Sequence, residues 1–128
     1  MKTLSKREAL RENYLQGWYR MDIELLLAST SGEFVFDDPA EPEPVTRDML
    51  AGYMQRWDKR TRALGADNQW KLTHELRQDK DGILTDWEWW EVKATDLQGA
   101  ALILTGDHGV LLERITYFER NLPRAWVT

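Results

Sequence analysis

The spacing of apolar residues changes period along this chain, and that change constrains the fold more than any other feature. In two segments up to Leu64 the apolar residues recur at helical spacing. Leu10, Tyr14, Trp18 and Met21 form one stripe; Leu50, Tyr53, Met54, Trp57, Thr61 and Leu64 form another. From Trp70 the period is two, with Trp70, Leu72, His74 and Leu76 alternating with Lys71, Thr73, Glu75 and Arg77. Helices followed by consecutive strands predict an α+β chain, its helices layered on one face of an antiparallel sheet.

Capping and turn residues place the boundaries. Ser5 with Glu8 three residues later is a capping box that opens the first helix. Asp22 caps a second, shorter helix carrying Ile23, Leu26 and Leu27, which Ser31-Gly32 stops. A strand from Glu33 to Asp38 is closed by Pro39. The stretch from Pro39 to Pro44 holds three of the four prolines and reads as a loop, too short to link domains. Thr46 caps the third helix and Gly65 ends it. Asp79 to Gly82 is a hairpin turn into a strand from Ile83 to Val92, and a looser turn runs from Asp96 to Gly99. Ala100 to Thr105 and Val110 to Phe118 make a last hairpin. With 128 residues and no internal repeat, one domain over 1–128 is expected.

Charge and composition exclude several functions. A net charge of −5 argues against nucleic acid and anionic membrane partners, which require basic patches. The one basic run, Lys59-Arg60-Thr61-Arg62, reads as a solvated helix face. There is no cysteine, hence no disulfide framework and no zinc–thiolate site. The longest apolar run, Ala100 to Leu104, is too short to span a bilayer, and no apolar signal segment opens the chain. A cytoplasmic location is the expectation. Asp79-Lys-Asp-Gly82 begins like a calcium loop but lacks the third carboxylate and the closing glutamate. No metal and no cofactor is implied.

Two stretches carry a family resemblance. Tyr14, the Asp22-Ile23 helix start and the phrase Phe36-Asp37-Asp38-Pro39 fall at the mutual spacing found in ketosteroid isomerases. His108-Gly-Val-Leu-Leu-Glu-Arg-Ile-Thr-Tyr-Phe-Glu119 resembles the last hairpin of SnoaL-like proteins. The chain therefore resembles the superfamily that includes nuclear transport factor, SnoaL-like cyclases, ketosteroid isomerase and scytalone dehydratase. That resemblance implies three N-terminal helices packed on a strongly curved antiparallel sheet, forming a cone with an internal pocket. The superfamily holds isomerases, dehydratases and cyclases beside non-enzymatic modules, so the fold does not settle the activity.

Three polar residues stand out as candidate catalytic groups. Phe34, Phe36 and Asp38 share one strand face, so Asp38 is directed toward apolar surroundings. A carboxylate stripped of water there is a candidate general base, and the resemblance places the isomerases' base at the same position. Equally, an aspartate before proline often caps the loop that follows. Tyr14, on the buried stripe, matches the tyrosine that donates to the substrate oxyanion in those isomerases; its other reading is a core tyrosine. Their second acid, on the penultimate strand, has no counterpart, because Ala101 and its neighbours carry none. His74 falls on the apolar face of its strand, either as an acid or base beside Asp38 or as a satisfied core residue.

Seven tryptophans in so short a chain suit pocket walls and interfaces. Trp18, Phe36, Tyr53, Trp57 and Trp87 are expected to line the pocket. Trp87, Trp89 and Trp90 put indoles on both faces of one strand, which predicts a homodimer through the outer sheet face. The expectation is thus a SnoaL-like enzyme acting by acid–base catalysis on a small hydrophobic carbonyl compound, as isomerase, dehydratase or cyclase. The alternative is a non-catalytic module of the same fold that binds a small ligand or assembles with another protein.

Overall fold

The computed structural model describes residues 3–63, 70–93 and 95–119. Helix α1 (Lys6–Tyr19) opens at the capping box, with Ser5 and Glu8 each bonding the other's backbone N–H. Asp22 caps α2 (Ile23–Ala28) by accepting from the Leu25 N–H. Strand β1 (Thr30–Asp37) starts at once, so Ser31-Gly32 lies inside a strand rather than stopping a helix. After the proline loop, β2 (Val45–Thr46) pairs with β1, and a 3-10 turn (Arg47–Met49) leads into α3 (Leu50–Ala63). Thr46 stands at the N-cap of that turn in extended conformation but makes no side-chain cap bond. The expected helix stop at Gly65 lies outside the described residues, as does Leu64. Strands β3 (Trp70–Lys80), β4 (Ile83–Val92), β5 (Leu97–Gly106) and β6 (Gly109–Glu119) follow.

The six strands form one sheet in the order β2-β1-β6-β5-β4-β3. The sheet is mixed, not antiparallel as expected, since β1 runs parallel to β6. Alternation in a sequence reports which face a residue takes, not which strand lies beside it. Asp81 and Gly82, both at positive φ, turn the β3–β4 hairpin.

One irregularity moves side chains between faces. Leu72 pairs with Trp90, but His74 pairs with Trp89, so β3 carries an extra residue at Thr73. A bulge of one residue sends every later side chain to the opposite face. Beyond it Glu75 and Arg77, not His74 and Leu76, share the side of Glu88 and Asp86.

Helix α1 packs across β4, β5 and β6, and its Gly17 lets α2 approach. A Cβ at Gly17 would lie 2.9 Å from the Leu26 Cα. The core joins Tyr14, Trp18, Phe34, Phe36, Tyr53 and Trp90 with the aliphatic residues around them. Gly99 pairs with Trp90 across β4 and β5, and the indole lies over it. A Cβ there would meet the Thr116 carbonyl oxygen at 2.0 Å and the Trp90 ring at 2.4 Å. Gly99→Ala is therefore expected to lower unfolding free energy by about 2 kcal/mol or more. An unchanged melting temperature would count against this packing.

Candidate functional site

The inner sheet face carries more acid than apolar alternation alone would place there. On β4 the buried side is Leu84, Asp86, Glu88, Trp90 and Val92; on β6 Glu113 shares its face with Ile115 and Tyr117. Buried carboxylates are tolerated only when paired or bonded. The partner comes from α1, where Arg7, Arg11, Tyr14 and Trp18 follow one another at helical spacing. Arg11 is buried; its Nη2 pairs with Glu88 and its Nε lies 3.4 Å from Asp86 Oδ2. Arg77, brought inward by the bulge, reaches Asp86 Oδ1 at 2.7 Å.

Glu113 has no such cation among the described residues. It accepts a 2.6 Å hydrogen bond from the Tyr14 hydroxyl instead. Burial pushes its carboxyl up to about 7, more than the Tyr14 bond and Arg11 pull it down, and the Asp38 charge adds to the rise. Burial and the Glu113 charge also push the Tyr14 hydroxyl well above its ordinary value, so it stays a neutral donor.

Between α1, α3 and the sheet lies a cavity with about 50 Å³ of room for the centres of water-sized molecules. Trp18, Phe36, Tyr53, Trp57, Trp70 and Trp90 supply its aromatic wall, and Arg11, Tyr14, Glu88 and Glu113 its polar groups. Room of that order holds a few waters, or one small ligand that displaces them.

Asp38 is buried on the face expected, but its carboxylate does not border the cavity. Oδ1 accepts from the Ala40 backbone N–H at 2.8 Å, as a loop cap would. Oδ2 accepts from the hydroxyls of Tyr53 at 2.6 Å and Tyr117 at 2.7 Å, with Arg60 at 3.5 Å. Glu41, in the same loop, pairs with Arg56 and Arg60 of α3. The two carboxylates thus fasten α3 to the loop and to β6.

The expected convergence of Asp38, Tyr14 and His74 is not met. His74 stands exposed on the outer face, its Nδ1 3.3 Å from the Thr73 hydroxyl, because the bulge at Thr73 reverses the alternation. Trp87 is likewise on the outer face and 49% exposed, not in the pocket wall. Trp18, Phe36, Tyr53 and Trp57 do line the cavity. Sequence reasoning missed Arg11, Glu88, Glu113, Trp70 and Trp90. The signal was present in period-two counting along β4 and β6, where Glu88 and Glu113 fall on the buried parity. No helix in the described residues is long and apolar enough to cross a membrane, and no described group of acids and histidines could hold a metal ion.

The sequence matches no protein-family model and no curated protein. The fold is shared with solved structures. A candidate ketosteroid isomerase from Kribbella flavida DSM 17836 superposes with a TM-score of 0.64 at 16% identity, over 96% of this chain and 87% of that one. TerC, co-crystallised with polyporic acid, gives 0.67 at 11% identity over 89% and 92%. A candidate SnoaL-like polyketide cyclase from Shewanella putrefaciens CN-32 gives 0.63 at 9% over 90% and 91%. The chain shares the fold of these structures and of others described as cystatin-like and NTF2-like, an α+β arrangement with a curved mixed sheet of six strands.

The raised Glu113 carboxyl links stability to pH. An ordinary glutamate loses its proton near 4.5, whereas folded Glu113 holds it to about 7. Its contribution is full below the unfolded value and is lost as pH rises through 7, on the order of 3 kcal/mol. Glu113→Gln is expected to gain about that much relative to wild type between about pH 5 and about pH 8 in urea titrations. A pH-independent difference contradicts the assignment.

Proposed function

We propose that the protein is an acid–base catalyst acting on a small hydrophobic carbonyl compound by isomerisation, dehydration or ring closure. The observation that carries this is Glu113, a carboxyl titrating near neutrality in an aromatic cavity, 2.6 Å from a neutral phenol. A proton-transfer group works best when its pKa lies near the operating pH. A phenol held neutral in a water-poor site can stabilise charge developing on a carbonyl oxygen. Glu113 would move the proton, Tyr14 would donate to the oxygen, and Arg11 would position the pair through Glu88.

The family acid missing at Ala101 bears on this reading. Ala101 pairs with Ile115 across β5 and β6, and Glu113 lies two residues from Ile115 on the same face. A carboxyl from the neighbouring strand thus takes up the place beside Tyr14. Asp38, with its donors supplied, acts here as a fastener of the loop and α3. The rival reading, a module that shelters a ligand without chemistry, is favoured by the Tyr14–Glu113 bond, which already satisfies both groups.

Exchange of α-protons from a series of cyclic and aryl ketones in D2O, followed by NMR, separates the two. Wild type should speed exchange over buffer, Glu113→Gln should lose about 10²–10⁴-fold, and Asp38→Asn should retain it. Loss in Asp38→Asn with retention in Glu113→Gln would return the base to Asp38. No exchange in wild type would leave the sheltering module.

A partner is proposed as well. Leu76, 63% exposed, pairs with Trp87, and His74 with Trp89, so β3 and β4 present one apolar outer patch. Patches of exposed indole on a sheet mark interfaces, and we propose that two copies pair there. Sedimentation at micromolar concentration should show a dimer that Trp87→Glu converts to a folded monomer with an unchanged far-UV circular dichroism spectrum. A wild-type monomer would overturn the pairing.

A further inference from the structure

Strand β3 closes one side of the sheet, and among the described residues only β4 pairs with it. An edge strand offers a row of unpaired backbone N–H and C=O groups to any chain that can lie beside it. One end of this edge is covered. The Tyr19 hydroxyl hydrogen-bonds the Leu72 backbone, and the Tyr19 ring stacks on Trp70 at 4.4 Å. From Thr73 to Lys80 every residue is exposed, and beyond the bulge His74 to Lys80 keep an unbroken register with β4.

Charged residues ordinarily guard such an edge against pairing. Here their signs fit a second copy of the same strand. Two copies related by a twofold axis through the sheet lie antiparallel, and opposite residues share a face, so the axis passes through one residue and its copy. With the axis at Leu76, that leucine meets its copy, Glu75 lies opposite the partner's Arg77, and His74 lies opposite the partner's Gln78. The other positions fit worse. An axis at Glu75 sets two carboxylates face to face, and one at Arg77 sets two guanidiniums together with Glu75 against the partner's Asp79. An axis at Gln78 leaves Leu76 opposite the partner's Lys80 and calls on Asp79, which Arg7 already holds at 3.0 Å. An axis at His74 runs the strands into the end that Tyr19 covers. Leu76 also pairs with Trp87 in its own sheet, so the axis at Leu76 makes one apolar row of Trp87, Leu76 and their copies.

We propose that β3 pairs antiparallel with β3 of a second copy about Leu76, joining the two sheets edge to edge. The inference rests on the reading that two copies associate at this outer patch. It makes the backbone edge the join, rather than one sheet face packed upon another.

The chain has no cysteine, so single cysteines report the register. Directly opposite residues hold their Cβ atoms about 5 Å apart, close to what a disulfide spans. Under mild oxidation at micromolar concentration, Leu76→Cys should link to its own copy about tenfold faster than His74→Cys or Gln78→Cys, whose copies lie about 13 Å apart along the strands. Mixed together, His74→Cys and Gln78→Cys should link to each other. Glu75→Lys sets like charges opposite the partner's Arg77 twice, and should raise the dimer Kd about tenfold in sedimentation. A wild-type dimer in which Leu76→Cys links no faster than Gln78→Cys overturns the edge pairing and leaves association through the outer face standing. A wild-type monomer overturns both.

Discussion

The placement of α1 on the sheet depends on one buried cation. Arg11 answers two carboxylates, Asp86 and Glu88, that β4 turns away from water. Removing one partner of such a set costs about 3–5 kcal/mol, because the charges left behind stay dehydrated. Apolar contact alone would let a helix slide or rotate on a sheet; an ion pair at a set position does not. With Arg11 held, Tyr14 and Trp18 follow one and two turns further on, and the phenol meets Glu113. The cavity is the space these constraints leave between α1, α3 and the strands.

A second carboxylate performs a parallel task on the other side. Asp38 gathers a backbone N–H, two phenols and a guanidinium, one from each of the loop, β6 and two turns of α3. Burial, with the Asp38 charge, pushes Tyr53 up, and burial with Asp38 pushes Tyr117 up, so both remain donors. Tyr53 thereby presents its ring to the cavity and its hydroxyl to Asp38. The four donors at Asp38 and the single phenol at Glu113 are two outcomes of one rule: each buried carboxylate takes what donors its neighbours can reach.

Much of the fold was legible along the chain. The capping box, the Asp22 cap, the Asp81-Gly82 turn and the strand parities are local events, decided by residues within a few positions of one another. The aromatic wall was legible too in Trp18, Phe36, Tyr53 and Trp57, because helical and strand periods select their faces. His74 and Trp87 were misplaced for a physical reason. Period-two counting holds only while pairing stays in register, and the extra residue at Thr73 belongs to the pairing of β3 with β4, not to either strand alone.

What the sequence determined by itself, then, is the three helices, the five longer strands and their order, and the presence of more acids on apolar faces than a core can hold unaided. What tertiary structure decided is which donor each acid receives. Arg11 and Glu88 lie far apart in the chain, as do Tyr14 and Glu113, and no local rule pairs them. Hydration loss and hydrogen bonding act through space, over a few ångströms, so which carboxyl meets a cation and which meets only a phenol was decided when the helix met the sheet. The aspartate that reads most like a base became a fastener. The glutamate hidden in the last hairpin became a cavity carboxyl that burial pushes up and that the Tyr14 hydroxyl meets.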